Sequence, residues 1–206
     1  TSITTNVGSL KNSGIEFELN TINIETDMFK WSTNLNITTT KNEITELTQE
    51  SFINGTKRWE VGTSLYEFFL REYAGVDSSN GKALWFKDIL DAEGEETGEK
   101  TTTDVYADAT RYSTGKESLP DFQGGITNTF IYGDFDLNVL MNFSVGAYVY
   151  DSTYAGLMGS FETLGSGSSV DISNRWQKPG DITNVPRLQN SQNDFNASST
   201  RFLFKN

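Results

Sequence analysis

Residues 135–149 read FDLNVLMNFSVGAYV, and every odd-numbered position in this stretch is apolar. The even-numbered positions are mostly polar or small, and Asp136 is the one charged residue among them. Alternation with a period of two is typical of a β-strand that has two different faces. At its full length this strand would extend over about 50 Å, well beyond the usual strand of a globular protein. A tilted strand that crosses a bilayer and projects beyond it needs such a length, so the stretch predicts a transmembrane β-strand.

The same alternation recurs, less strongly, in three other segments. They are residues 14–24, 29–40 and 124–132. Short polar turns separate the members of each pair: Glu25–Met28 in the first pair, and Gly133 with Asp134 in the second. A two-residue turn that contains Gly and Asp favours a β-hairpin. The four segments therefore predict two antiparallel hairpins, each with an apolar and a polar face.

The two predicted faces differ in chemistry. The apolar face would consist of the odd-numbered residues of 135–149 together with Trp31, Leu35 and Ile37. The polar face would carry four asparagines, namely Asn34, Asn36, Asn138 and Asn142. In a membrane barrel the apolar face meets lipid and the polar face lines the lumen, where amides offer hydrogen bonds to a polar solute.

Two long stretches lack clear periodicity. Residues 41–121 separate the two hairpins, and residues 150–200 follow the second. The first of them carries 9 basic and 17 acidic residues, a net charge of −8 out of −12 for the whole chain. Short turns that alternate with long loops are typical of outer-membrane barrels, whose turns are periplasmic and whose long loops are extracellular. The predicted fold class is therefore all-β: an antiparallel segment of a large transmembrane barrel. Residues 65–86 resemble a further hairpin, which would stand above the membrane or form a second spanning pair.

Composition excludes several classes of function. The chain has 206 residues and contains neither Cys nor His, which removes thiolate chemistry, imidazole bases and the common zinc sites. The net charge of −12 opposes binding to nucleic acid. No metal site, cofactor or enzymatic activity is predicted, although the acidic residues of 88–99 leave Ca²⁺ binding open beside the simpler interpretation of a solvated loop.

The long loops are rich in aromatic residues, whose flat faces suit sugar rings and peptide side chains. The candidate substrate-binding residues are Trp59, Trp85, Tyr112 and Trp176. The alternative is that each of them packs the loops against one another.

Five stretches resemble motifs of one family of membrane proteins, in the same order along the chain. They are residues 6–19 (NVGSLKNSGIEFEL), 74–81, 119–125, 174–188 (NRWQKPGDITNVPRL) and 198–202. This set is similar to the TonB-dependent receptors of the SusC/RagA group of Bacteroidetes. Each stretch alone is only moderately specific, but the ordered set extends over most of the chain.

The resemblance implies a segment of a plugged barrel of about 22 strands in the outer membrane of a Gram-negative bacterium. It further implies import of oligosaccharides or peptides, a SusD-like surface lipoprotein as partner, and coupling to the TonB complex through parts that this sequence is expected to lack. The alternative from the residues alone is a secreted β-sandwich that binds carbohydrate, but its strands should be shorter than residues 135–149.

Overall fold

The protein, seen in a computed structural model, is described for residues 6–159, 165, 167–189 and 197–206. Within these ranges the chain forms thirteen β-strands, one α-helix and short 3₁₀ helices at 106–108, 170–174 and 200–202. The elements are β1 (Gly8–Glu25), β2 (Phe29–Leu47), β3 (Ser51–Asn54), β4 (Lys57–Glu60), β5 (Glu67–Arg71), β6 (Tyr73–Val76), β7 (Ala83–Leu90), β8 (Glu96–Thr103), β9 (Arg111–Glu117), β10 (Phe122–Tyr132), β11 (Phe135–Val145), β12 (Tyr148–Tyr150), α1 (Ser152–Gly159) and β13 (Leu203–Lys205). The predicted all-β, antiparallel fold class is confirmed.

The chain divides into two compact units. The first consists of Thr1–Glu67, Gly115–Val149 and Lys205–Asn206, and the second of Phe68–Thr114 and Tyr150–Phe204. The predicted strands all lie in the first unit, and most of the predicted long loops lie in the second.

A four-stranded antiparallel sheet dominates the first unit, with the strand order β1-β2-β10-β11. β1 and β2 have 18 and 19 residues, which is long for any strand, because alternating side chains continue through both. The turns at 26–28 and 133–134 close the two hairpins at the same end of the sheet, where Tyr132 pairs with both Phe29 and Phe135.

β11 ends at Val145, four residues before the end that alternation predicts. Gly146 has φ +93°, a left-handed conformation that glycine adopts without strain. A Cβ atom at this position would lie 2.0 Å from the Asp121 carboxylate, so only glycine fits there. Gly146 and Ala147 separate β11 from the short strand β12, which begins at Tyr148.

The prediction that residues 41–121 lack regular structure is wrong. β2 continues to Leu47, and strands β3 to β9 follow it. The far end of β2 is packed: Ile44 is buried, and buried Asn42 accepts a hydrogen bond from the Leu65 N–H at 2.8 Å. These strands were missed because most have only four to eight residues and carry charges on both faces, so period-two alternation has no room to appear.

The second unit contains a three-stranded antiparallel sheet, β6-β7-β8, and two apolar clusters. Ala83, Trp85 and Ala109 form one cluster, and the other joins α1 to the end of the chain through Met158 and Phe202. The predicted hairpin within 65–86 is the β6–β7 pair, whose strands of four and eight residues are shorter than the nine to eleven or so of a spanning strand. The predicted loop 150–200 likewise contains α1 and a 3₁₀ helix.

Within the described ranges, no helix is both long enough and apolar enough to cross a membrane.

Candidate functional site

The register of the four-stranded sheet places the four predicted asparagines on one face. Asn36, Gly125 and Asn142 lie directly opposite one another in a single row across three strands. Asn138 lies opposite Thr129, which donates a hydrogen bond to its side-chain oxygen at 2.7 Å. The Asn34 amide donates to Asn20 on β1 at 2.6 Å. This polar face also includes apolar Leu140, so it is predominantly rather than uniformly polar.

A recess of about 470 Å³ opens on the polar face beside this row. Asn36 lines the recess, and its side-chain oxygen accepts a hydrogen bond from the Gly125 N–H at 3.1 Å. Thr38, Gln123, Asn142 and Ser144 complete the polar lining, beside Gly124 and Phe143. The recess therefore presents uncharged amides and two hydroxyls, which can bind hydroxyl or peptide groups of a solute.

The opposite face of the same sheet is apolar across all four strands. Its large side chains are Ile15, Phe17, Leu19, Ile24, Phe29, Trp31, Leu35, Ile37, Phe122, Ile126, Phe130, Tyr132, Phe135, Leu137, Val139, Met141, Phe143 and Val145. Several are widely exposed in this chain, and the exposed fraction reaches 71% for Ile15 and 78% for Phe135. A continuous apolar face of this size is characteristic of a surface that meets lipid or another protein.

Aromatic pairs mark two levels of the apolar face. Near the hairpin turns, Trp31 stacks on Phe130 with ring centroids 5.8 Å apart. Farther along, Phe122 meets Phe143 edge to face at 6.2 Å. Strand rise and a tilt of about 40° put these levels about 20 Å apart in height, close to the ~25 Å apolar band of an outer-membrane barrel that aromatic girdles flank.

Sequence reasoning missed a polar row within the apolar face. Asn128 accepts hydrogen bonds from the Trp31 indole N–H at 3.0 Å and from the Thr33 hydroxyl at 2.7 Å. Asn23 donates to Thr33 at 2.6 Å, and it is the extra residue of a bulge between Ile22 and Ile24. These polar side chains bond to one another, as an apolar environment demands. Asn128 is also the reason that the two faces of 124–132 are less distinct in sequence.

The glycines at strand entries allow close approach of the strands. A Cβ atom on Gly14 would lie 2.0 Å from the Thr39 carbonyl oxygen, and one on Gly124 would lie 2.0 Å from the Asn36 carbonyl oxygen. Any larger residue would push the neighbouring strand away at these points.

Trp85, one of the four predicted binding residues, is a core residue instead. Its side chain is 1% exposed and packs edge to face against Tyr106 at 5.2 Å and Tyr73 at 6.4 Å. A ring enclosed by its own neighbours presents no face to a substrate, so this prediction is corrected. The sequence contains no signal for it beyond the apolar run 83–86.

Tyr112 is engaged by charged neighbours. Its hydroxyl donates to Asp88 at 2.8 Å, and the Lys100 ammonium lies 3.7 Å from the ring centroid. Burial and the Asp88 carboxylate raise the pKa of Tyr112 to about 12. The ring face that would receive a sugar is thus covered by a lysine.

Trp59 lies half-buried on β4 and packs against Phe52 at 6.5 Å. Its indole N–H is buried and has no hydrogen-bond partner among the described residues. The Trp85 indole N–H is likewise buried without a partner among the described residues, but Trp59 is half-buried whereas Trp85 is 1% exposed.

Trp176 joins two of the sequence motifs. Its indole N–H donates to the Ser78 carbonyl at 3.1 Å, and its ring occupies the space beside Gly81. Arg187 donates to the Asn80 carbonyl at 2.9 Å through its side chain and to the Gly81 carbonyl at 2.8 Å through its backbone N–H. We call this set, residues 77–81 with Trp176 and Arg187, the motif junction. The contacts of the motif junction support the alternative interpretation of Trp176, in which its ring packs the loops against one another.

Aspartates fix both turns of the motif junction. Asp77 accepts from the Ser79 N–H at 2.8 Å, and its pKa is lowered by its hydrogen bonds to Ser79 and Asn80. Asp181 accepts from the backbone N–H groups of Gln177 and Lys178 at 3.0 Å each, which lowers its pKa likewise. The Asp77 side chain therefore acts as a turn former.

The motif at 198–202 packs into the same unit. Thr200 accepts a hydrogen bond from the Tyr73 N–H at 3.0 Å, and the Tyr106 hydroxyl donates to the Ser198 carbonyl at 2.8 Å. Phe202 is fully buried, and burial lowers the pKa of Arg201, whose guanidinium lies 5.5 Å from the Tyr73 ring. Three of the five motifs are therefore architectural.

The acidic segment 88–99 contains no group of three acidic side chains arranged around one point, as far as the described residues go. Asp91 instead accepts from the backbone N–H groups of Glu93 and Glu95 at 3.0 and 2.9 Å, so it shapes the β7–β8 turn.

Substitution of Gly81 by alanine is expected to loosen the motif junction. Gly81 has φ +77°, and a Cβ atom would lie 2.4 Å from the Trp176 ring. Backbone strain and the clash together should cost about 2 kcal/mol of local stability. Hydrogen exchange should show faster exchange at 78–82 and 176–187, whereas Gly94→Ala, also at positive φ but in open space, should leave these segments unchanged. Equal protection in both variants would contradict the role of the Gly81–Trp176 contact.

Comparison with known proteins identifies the family. No protein-family model matches the chain. A TonB-dependent receptor (P3) of Formosa agariphila is 30% identical over 207 residues, which cover 88% of this chain and 19% of the receptor. The chain belongs to the TonB-dependent receptors of the SusC/RagA type. The receptor SusC of Bacteroides thetaiotaomicron is 30% identical over 163 residues, covering 72% of this chain and 15% of SusC.

Solved structures agree with this assignment. The RagAB peptide transporter superposes with a TM-score of 0.77 at 25% identity, over 97% of this chain and 22% of that one. The same importer in its closed-closed state gives a TM-score of 0.78. The chain thus spans about a fifth of the length of the relatives it matches. The relatives are receptors and transporters, and membership in this family replaces the alternative interpretation as a secreted β-sandwich.

Proposed function

We propose that this chain forms part of the barrel wall of an outer-membrane, TonB-dependent importer of oligosaccharides or peptides. The observation that carries the proposal is the division of one four-stranded sheet into an apolar and a polar face, in register across every strand. The apolar face meets lipid. The polar face, with Asn34, Asn36, Asn138 and Asn142, lines the lumen. The wall performs no covalent chemistry and needs no cofactor.

The orientation of the sheet in the outer membrane follows from the hairpin turns. The hairpin turns at 26–28 and 133–134 lie at the periplasmic end, as short turns do in outer-membrane barrels. The opposite end of the sheet faces the cell exterior, and the long segments 41–121 and 150–200 are extracellular. TonB acts through parts of the receptor outside this chain.

The extracellular segments meet a SusD-like surface lipoprotein that covers the barrel. In support, a solved relative is named the RagAB peptide transporter and a curated one is SusC. The substrate would pass from the lipoprotein to the amide-lined recess on the polar face. Trp59 is the remaining aromatic candidate for substrate contact, because it is half-buried whereas Trp85 is enclosed in a core. Lys100 covers the ring of Tyr112, and the ring of Trp176 packs beside Gly81.

An epitope-insertion experiment tests the sidedness. One peptide tag is inserted at Gly94, in the exposed β7–β8 turn, and the matched tag at Gly133, in the β10–β11 turn. The full-length receptor is expressed in its native host, and antibody binding is measured on intact and on permeabilised cells. We expect the Gly94 tag to be detected on intact cells and the Gly133 tag only after permeabilisation. The reverse pattern, or detection of both on intact cells, would contradict the proposal.

A second experiment tests nutrient import and the binding of the surface lipoprotein. Deletion of the gene should abolish growth on one oligosaccharide or peptide mixture as the sole nutrient, and the full-length receptor should restore it. Purification of the tagged receptor in mild detergent should recover a surface lipoprotein in equal amount. If growth is unaffected on every substrate tested, the import function is wrong; if only the lipoprotein is missing, the partner alone is wrong.

A further inference from the structure

We propose that a recess at the outer end of the apolar face binds the phosphate groups of a lipid in the outer leaflet. The inference rests on the proposed function, in which this face meets lipid and the hairpin turns are periplasmic. The recess has a volume of about 820 Å³ and lies within the first unit of the chain. Its basic residues are Lys41, Lys116 and Lys205.

The height of the recess matches the level of lipid headgroups. Lys41 follows Trp31 by ten residues along β2, which corresponds to about 33 Å of strand and to about 25 Å of height at a tilt of about 40°. That height equals the apolar band of an outer-membrane barrel. Trp31 lies at the inner boundary of the band, so Lys41 lies at the outer boundary. The aromatic pair of Phe122 and Phe143 lies just below it.

The side chains at this level belong to the lipid-facing surface. Ser13, Ile15, Thr39 and Lys41 line the recess, and all four have the strand parity of the apolar face. Ile15 belongs to both the recess and the apolar face, so the two surfaces are continuous. A lipid whose headgroup fills the recess would therefore lay its acyl chains along Ile15 and Phe17.

The charge of the recess suits an anionic headgroup. Three lysines face two acidic residues, Glu117 and Asp121. The Asp121 carboxylate lies beside the backbone of Gly146. In the described part of the chain neither Lys41 nor Lys205 forms an ion pair. Both ammonium groups are thus available to phosphate oxygens, and the hydroxyls of Ser13 and Thr39 add donors.

The excess of lysines in this recess is unusual for the chain, because acidic residues outnumber basic ones by 28 to 16 in the whole sequence. Basic residues near a membrane surface attract anionic lipids, each with a modest and roughly additive effect. The competing occupant is an acidic substrate, but of the side chains that β1 and β2 contribute to the recess, four lie on the lipid face and Thr40 alone lies on the polar face. We therefore assign it to lipid phosphate.

The test measures lipid binding to the full-length receptor in mild detergent by native mass spectrometry, with lipid A as the probe. The variant Lys41→Ala/Lys205→Ala should bind lipid A roughly 25-fold more weakly, about fivefold for each lysine. The control Lys30→Ala/Lys178→Ala removes the same charge at two lysines that do not line the recess, and it should bind like the unmodified receptor. Lipid A stripped of its phosphates should bind the unmodified receptor as weakly as intact lipid A binds the variant; this arm requires no substitution.

Free inorganic phosphate should not displace the lipid, since the acyl chains supply much of the affinity. Equal lipid A binding by the variant and the control, or displacement by inorganic phosphate or by an acidic oligosaccharide, would overturn the assignment. These outcomes leave the import function intact as long as the receptor remains in the outer membrane and supports growth. Loss of outer-membrane insertion in the unmodified receptor would instead contradict the proposed function itself.

Discussion

Replacement of Met141 by arginine is expected to destabilise the folded receptor by about 2–4 kcal/mol, the cost of a basic residue at the bilayer midplane on the lipid face of a barrel. Met141 lies opposite Ile126, which in turn lies opposite Leu35, midway between Trp31 and Thr39 along β2. The midpoint of denaturant unfolding, followed by the loss of the heat-resistant barrel form in gels, measures the effect.

Two neighbours of Met141 provide matched controls. Asn142→Arg places the same charge one residue away on the polar face, where water and other polar groups solvate it, so the loss should be far smaller. Val139→Arg tests depth, because Val139 lies level with Asn128 and Thr33, near the hairpin end. Its cost should fall between the other two. Equal losses at Met141 and Asn142 would show that the assignment of faces is wrong.

Replacement of Trp85 by alanine is expected to cost the second unit about 3–5 kcal/mol, the range for large aromatic residues in a core. The side chain fills the space between Tyr73, Tyr106 and the small residues Ala83 and Ala109. Because the barrel strands belong to the other unit, insertion should persist while the second unit opens. Hydrogen exchange across β7 and β8, together with limited proteolysis of intact cells, measures the change.

Trp85→Phe is the control for this substitution. Phenylalanine keeps an aromatic ring and removes an indole N–H that is buried without a partner among the described residues, so the loss should be markedly smaller. Lost substrate uptake with unchanged hydrogen exchange in Trp85→Ala would contradict the core role and restore the binding role that the sequence suggests.

The sequence predicts the sheet well because one physical rule governs it. Side chains alternate along a strand, and a barrel wall must be apolar on one side, so Leu137, Met141 and Phe143 could be assigned a face without coordinates. Both hairpin turns are also evident, since Gly133 and Asp134 suit a two-residue turn. Deviations arise where local bonding overrides the pattern, as at Asn128, whose hydrogen bonds to Trp31 and Thr33 make it tolerable on an apolar face.

The second unit could not be predicted in the same way. Whether an aromatic residue packs or binds depends on which segments surround it, and Trp85 meets Tyr106, 21 positions later in the chain. Trp176 contacts the turn at Gly81, 95 positions earlier, and a single sequence carries no signal of that pairing. The motifs that identify the family can therefore be recognised from the sequence alone, but the structural reason for them cannot. That reason is the convergence of residues 77–81, 176–187 and 198–202 in one unit.

The central claim is that residues 135–145 form a wall strand with lipid on one side and water on the other. Nitroxide labels at successive single-cysteine positions 136 to 143 test it directly, since this chain has no native cysteine of its own to replace. In the full-length receptor in lipid bilayers, we predict that labels at 137, 139, 141 and 143 collide mainly with oxygen dissolved in lipid. Labels at 136, 138, 140 and 142 should collide mainly with a water-soluble nickel complex. Alternation of the opposite phase, or no alternation at all, would contradict the account.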